Sequence, residues 1–196
     1  MRQVQKLIEE YKSGKIYTAL DTETTGLSRY TDKVIEIGAV KFSKNGVIAE
    51  YNTLIYPEKS VPAQVVKIHG ISDEMLVGKP IFSEIAPDFL DFIAGTRLVA
   101  HNAQFDIGFI NMELTAAGMK ELKNARFPVD TVFLSRKLFP ELEKHSLQFL
   151  VKSLNIPSGT AHRATDDARA CMILMQKCLI RAAQQQDQLL CRSYRP

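Results

Sequence analysis

Asp21 and Glu23 stand two residues apart in the polar stretch DTETT, which follows the apolar run IYTAL. A β-strand turns successive side chains to opposite faces, so both carboxylates point the same way if that run is a strand. Acids at a solvated strand end are ordinary, and the pair by itself leaves that reading open. Asp106 falls one turn into a predicted helix, where the macrodipole favours an acid by about 0.3–1 kcal/mol. His162 precedes another predicted helix, with Asp166 and Asp167 in its first turn. Each acid taken singly has this bland explanation; the set suggests a different one. If the strand and helix ends converge, three aspartates and a glutamate share one pocket. Two like charges about 4 Å apart repel by roughly 4 kcal/mol even at an effective dielectric of about 20. Such a cluster must protonate or bind divalent cations, and oxygen ligands suit magnesium or manganese. Two such ions about 3.5–4 Å apart suit phosphodiester cleavage. An imidazole, ordinarily titrating near about 6.5, is a fitting base for the attacking water, which gives His162 that role.

The elements that must position these groups follow from the pattern of apolar residues. Residues 4–11 predict a short outer helix, and 16–21 a buried strand. Residues 34–42 and 47–56 predict two more strands joined by Ser43-Lys44-Asn45-Gly46, whose Asn-Gly pair is a strong hairpin signal. Three antiparallel strands therefore open the fold. Beyond Pro62 the pattern becomes helical, with a short helix leading to Ile68-His69-Gly70-Ile71 and another over 82–93. Residues 98–100 predict a short strand. A helix over 103–117 carries Phe105, Phe109, Met112 and Ala116 at core spacing, with Gly118 as its C-terminal stop. Residues 127–129 predict a last strand, and 131–138, 146–154 and 164–186 predict helices. Ala168, Cys171, Met172, Met175 and Leu179 form an apolar stripe on the last helix, read as core. The expectation is an α/β fold: a mixed sheet, antiparallel at one side, covered by helices, with ligands near the strand ends.

Three segments carry a family resemblance. DTETTGL at 21–27, HNAQFDIGFI at 101–110 and HRATDDA at 162–168 resemble, in order and separation, the motifs of the DEDDh (DnaQ-like) 3′–5′ exonucleases. The likeness is strongest to the branch that proofreads for bacterial replicative polymerases, and it runs over about residues 15–180. It implies a ribonuclease H-like, five-stranded mixed sheet flanked by helices. It also implies two Mg2+ or Mn2+ ions held by Asp21, Glu23, Asp106 and Asp167, with His162 as the general base. Asp166 becomes a neighbour, because the family's acid falls five residues after the histidine. The implied substrate is the 3′ end of single-stranded DNA, hydrolysed to nucleoside 5′-monophosphates, with RNA as the alternative. Thr24, Gly26 and Leu27 would contact the terminal nucleotide. Ile68 and His69 would stack on it, and Asn102 and Phe105 would meet its other side. Phe105 is equally a core residue by its spacing. His101 is read as orienting its loop, His145 as a cap or surface residue, and Arg163 as touching either a phosphate or water.

The remaining features set bounds. A chain of 196 residues fits one domain, expected over 1–196, with a short N-terminal helix and a C-terminal tail outside the resemblance. No run long enough to span a membrane occurs, and the charged start is not a secretory signal, so a cytoplasmic protein is expected. A net charge of +3 is compatible with a nucleic-acid partner without requiring one. Cys171 and Cys178 lie seven residues apart, or roughly 10 Å on a helix, too far for a disulfide. With the isolated Cys191 they are read as free thiols. The resemblance also raises a DNA polymerase as a partner. The roughly 15 residues after the matched region look too short for the usual polymerase-binding extension, which favours a free-standing enzyme or a piece of something longer. A binding domain that has lost catalysis is the reading from another class, and the retention of all five catalytic residue types counts against it.

Overall fold

The computed structural model describes residues 2–122, 128–157 and 159–193, with side chains described as far as residue 186. Its centre is a five-stranded sheet ordered β3-β2-β1-β4-β5. The strands are β1 (Tyr17–Thr24), β2 (Val34–Ser43), β3 (Gly46–Leu54), β4 (Arg97–Ala100) and β5 (Val129–Asp130). The first three pair antiparallel. β4 joins β1 in parallel, and β5 joins β4 in parallel. The hairpin between β2 and β3 closes at Gly46, whose φ of 117° is open to glycine at no steric cost. The mixed sheet expected from the sequence is therefore present, antiparallel on the β3 side.

Eight helices pack around it among the described residues: α1 (Arg2–Lys12), α2 (Ala63–His69), α3 (Asp73–Leu76), α4 (Phe82–Ile93), α5 (Ala103–Ala116), α6 (Thr131–Leu138), α7 (Leu147–Ser153) and α8 (Ala164–Ser193). Strand alternation divides the apolar residues between two layers. Tyr17, Ala19, Val40 and Val99 join α1, α6, α7 and α8 on one face. Leu20, Ala39, Leu98 and Ala100 join α4 and α5 on the other. Cys171, Met172, Met175 and Leu179 are buried in the first layer, so the stripe on α8 is core. Cys171 and Cys178 are free buried thiols, and burial pushes the Cys178 pKa up to about 12. Among the described residues no helix is long and apolar enough to cross a membrane.

Several boundaries differ from the sequence expectation. β1 runs to Thr24, three residues beyond the predicted end, because β2 continues to pair with it through Asp21↔Gly38 and Glu23↔Glu36. Polar side chains do not end a strand whose backbone has a partner. β3 stops at Leu54, and α8 continues to Ser193. The one-turn helix α3 carries too short a pattern to read from sequence. Phe127 of the predicted last strand lies outside the described residues, as do Arg195 and the side chains of Cys191 and Arg192.

Candidate active site

Asp21 and Glu23 are half-buried on β1, while Thr22 and Thr24 between and after them are buried. The period of two continues from Ala19, so both acids face the α8 layer. α8 reaches them because β2 carries glycine at position 38. A Cβ there would lie 2.1 Å from the Thr165 nitrogen and 2.2 Å from the Ala164 carbonyl carbon. Gly38 thus lets the start of α8 rest directly on the sheet, opposite Asp21. Asp167, in the first turn of α8, is buried. Its Oδ2 accepts the His162 backbone N–H at 2.9 Å, and its Oδ1 accepts Gln148 Nε2 at 2.9 Å. His162 holds a left-handed φ of 60° to make that contact. Ligand atoms of Glu23, His162 and Asp167 all lie within 4.8 Å of one another, close enough to share an ion. Asp166 turns away, taking Arg169 Nη1 at 2.9 Å and the Thr160 N–H at 2.8 Å.

The remaining acid arrives from the other layer. Asp106, in the first turn of α5, is buried and crosses to the end of β1. Its Oδ1 accepts the Thr22 N–H at 3.0 Å and the Thr22 hydroxyl at 2.8 Å. Asp130 holds the helix start in place. One oxygen accepts the Ala103 N–H at 3.1 Å, and the other caps α6 through the Val132 N–H at 2.8 Å. His101 bridges the Thr131 hydroxyl and the His145 carbonyl oxygen, each at 2.9 Å, and so orients its loop. His145, expected at the surface or as a cap, joins this network through Ser135 Oγ at 3.0 Å.

Crowding these groups disfavours their ionisation. Burial, and then the charges of Asp106, Asp167, Glu23 and Glu36, hold the Asp21 pKa well above the carboxylate range. Burial and Asp167 push Glu23 up to about 8. Asp106 rises to about 7 through burial, despite the hydrogen bonds from Thr22. Asp167 is raised by burial against the opposing pull of the His162 N–H. Four acids raised together make a setting that a divalent cation would relieve.

Glu36 was not singled out in the sequence, where VIEIGAV reads as an ordinary strand. It is fully buried on β2, paired with Glu23 in register. Arg163 binds it through Nη2 at 2.8 Å and Nε at 3.3 Å, and the Ala164 N–H adds a bond at 3.1 Å. Asn52 donates to it at 3.2 Å and to Thr165 Oγ1 at 2.6 Å. Glu36 therefore fixes the start of α8 and the His162 loop, and Arg163 pairs with it while staying partly open to solvent. An acid on an otherwise apolar strand was the one available signal. Gln148 carried none, because its role depends on α7 meeting α8.

The residues expected to hold a nucleotide lie around this cluster. The Thr24 hydroxyl donates to the Gly26 carbonyl oxygen at 2.6 Å. Gly26 leaves room for Asp32, whose carboxylate oxygen would sit 2.4 Å from an added Cβ. Leu27 is 87% exposed and Ile68 57%, both free to meet a ligand. His69 is buried, and its Nδ1 accepts the Ile71 N–H at 3.0 Å, so the ring also secures the turn. Asn102 is exposed with a left-handed φ of 71°. Phe105 is half-buried and packs on Phe109 with ring centroids 4.8 Å apart.

The chain is 47% identical over 171 residues to the DNA polymerase III subunit epsilon of Treponema pallidum, covering 86% of this chain and 79% of that one. It is 43% identical over 155 residues to a PolC-type DNA polymerase III of Clostridium perfringens, covering 79% of this chain and 10% of that much longer one. Exonuclease X, solved with 5′-overhanging duplex DNA, aligns with a TM-score of 0.63 at 25% identity, covering 87% of this chain and 92% of that one. Exonuclease I of E. coli, solved with a dT13 oligonucleotide, shares the fold with a TM-score of 0.76 at 18% identity, covering 90% of this chain and 43% of that one. The exonuclease (RNase_T) family model matches residues 18–175, and the chain belongs to that family.

Proposed function

We propose that this chain is a DEDDh-type 3′–5′ exodeoxyribonuclease that removes nucleotides from single-stranded 3′ ends in proofreading or repair, working in the cytoplasm. The observation that carries this reading is the convergence of Asp21, Glu23, Asp106 and Asp167 with His162, from one strand and two helix starts of separate layers. The four acids would hold two magnesium or manganese ions, whose chemistry there is to polarise the phosphate and make a water more acidic. His162 takes a proton from the attacking water. The water oxygen bonds to phosphorus as the P–O3′ bond breaks, the departing O3′ takes a proton from solvent to become the new 3′-hydroxyl, and a nucleoside 5′-monophosphate is released. The hydrogen bond from the His162 N–H to Asp167 ties base and acid into one rigid unit. Leu27, Ile68, Asn102 and Phe105 hold the terminal nucleotide beside Thr24, Gly26 and His69. A DNA polymerase as partner is consistent with the epsilon and PolC relatives.

The test incubates the protein with 5′-labelled single-stranded DNA and magnesium, beside RNA of the same sequence and an Asp167→Ala control. A ladder shortening from the DNA 3′ end is expected, absent in the control and in chelator. Calcium should support binding but little cleavage, because its looser geometry holds the sites poorly. Equal shortening by the Asp167→Ala protein would sink the assignment, and faster loss of RNA would replace DNA as the substrate.

A further inference from the structure

The loop that leaves β1 carries a feature that the catalytic reading does not use. Tyr30 is 73% exposed, beside the almost fully exposed Leu27. The Arg29 guanidinium lies over the Tyr30 ring, 5.3 Å from its centroid, and Nη2 reaches the tyrosine hydroxyl at 3.4 Å. Among the described residues Arg29 makes no ion pair. It also lies against Gly108 of α5, where an added Cβ would sit 2.7 Å from Nη1. Gly108 is three residues beyond Phe105 and therefore on the same side of the helix. Arg29 therefore lies along the side of α5 that carries Phe105.

The loop is not slack. Asp32 accepts the Ser28 N–H at 3.0 Å and sits 3.4 Å from both the Thr25 hydroxyl and Lys59 Nζ. The Lys33 N–H bonds Thr25 Oγ1 at 3.0 Å, and Lys59 Nζ reaches the Thr31 carbonyl oxygen at 2.9 Å. A large aromatic ring held out on a braced loop, beneath a cation that has no acid partner among the described residues, offers a stacking face and a positive charge together. A base stacks on a ring or guanidinium plane, and its phosphate satisfies the cation.

From this we infer that Arg29 and Tyr30 form a second nucleotide subsite, which stacks a base of the single strand upstream of the terminal nucleotide and pairs with its phosphate. The inference rests on the reading of the site as a nuclease for single-stranded ends, so its test measures binding separately from cleavage. A fluorescein-labelled ten-nucleotide DNA is titrated with the intact protein in calcium, followed by anisotropy, with wild type, Tyr30→Ala and Arg29→Ala. Tyr30→Ala should weaken binding about five- to tenfold, the low end of what stacking on one base contributes. Arg29→Ala should reduce the slope of log K against log salt by about 0.7, one phosphate contact on a single strand. Strands lacking the second or third base from the 3′ end complete a double-mutant cycle. At one of these positions base removal should weaken binding to wild type but barely affect Tyr30→Ala. If Tyr30→Ala binds every strand as the wild type does, the subsite is overturned and the patch is left to a protein partner. If the wild type binds with the expected pattern yet cuts nothing in magnesium, the subsite stands and the nuclease reading fails.

Discussion

At Asp21, burial and four neighbouring acids all oppose the carboxylate's charge. Removing that charge should separate function from stability. Asp21→Asn is expected to abolish cleavage and, in chelator at about pH 8, to raise Tm by a few degrees, the size of shift that about 1 kcal/mol gives in a chain of this length. Circular dichroism melts beside the ladder assay check both, and a lowered Tm would mean that the acids are not in repulsion. His162→Gln should lower the single-turnover rate by about 10²–10⁴ while leaving DNA affinity in calcium nearly unchanged, as expected for loss of a positioned base. Asp21, Glu23, Asp106, His162 and Asp167 were all legible as candidates from residue type and motif order. Glu36 was not, because its carboxylate acquires its role only when Arg163 and the Ala164 N–H, more than a hundred residues away in sequence, are folded against it.

Among the elements, the seating of α8 on β2 decides whether Asp167 and His162 meet Glu23. Gly38 makes that seating possible, since its missing Cβ is replaced by the backbone of Ala164 and Thr165. Gly38→Ala should push the helix start outward. It is expected to cost at least about 1–3 kcal/mol, the usual range for overpacking, and most of the activity, because a displacement near 1 Å misplaces the metal-binding acid. Thermal melts and metal titration would check this, and wild-type values in both would overturn it. Glu36→Ala removes the acceptor for the helix start from the other side. With Arg163 39% exposed, the penalty for a broken buried pair is reduced to about 1–3 kcal/mol. Glu36→Gln, which keeps an acceptor for the Ala164 N–H, should recover part of it.

At the scale of the whole molecule, four raised carboxylates make stability depend on pH. A carboxylate whose pKa is higher in the folded chain contributes stability that is complete below its unfolded value near about 4. That contribution is lost as pH rises through the folded values, about 7 for Asp106 and about 8 for Glu23. In chelator, Tm should therefore fall between about pH 5 and pH 8.5. Added magnesium or manganese should restore it most at the alkaline end, because ions that bind only the folded chain stabilise it by mass action. A Tm independent of pH in chelator would show that the acids do not share a pocket. The same fold-wide view explains which parts of the architecture could be read in advance. The hairpin was visible in Asn45-Gly46, and the sheet's helical covering in the apolar stripes. The end of β1 was not, because its last residues are polar and only the partner strand keeps them extended. By itself the sequence determined the chemistry on offer, since side-chain type and local period depend only on nearby residues. Tertiary structure decided which groups meet: that Gly38 admits α8, that Glu36 anchors it, and that Arg29 lies over the Tyr30 ring. Those outcomes depend on close packing between distant segments, and no local pattern encodes that distance.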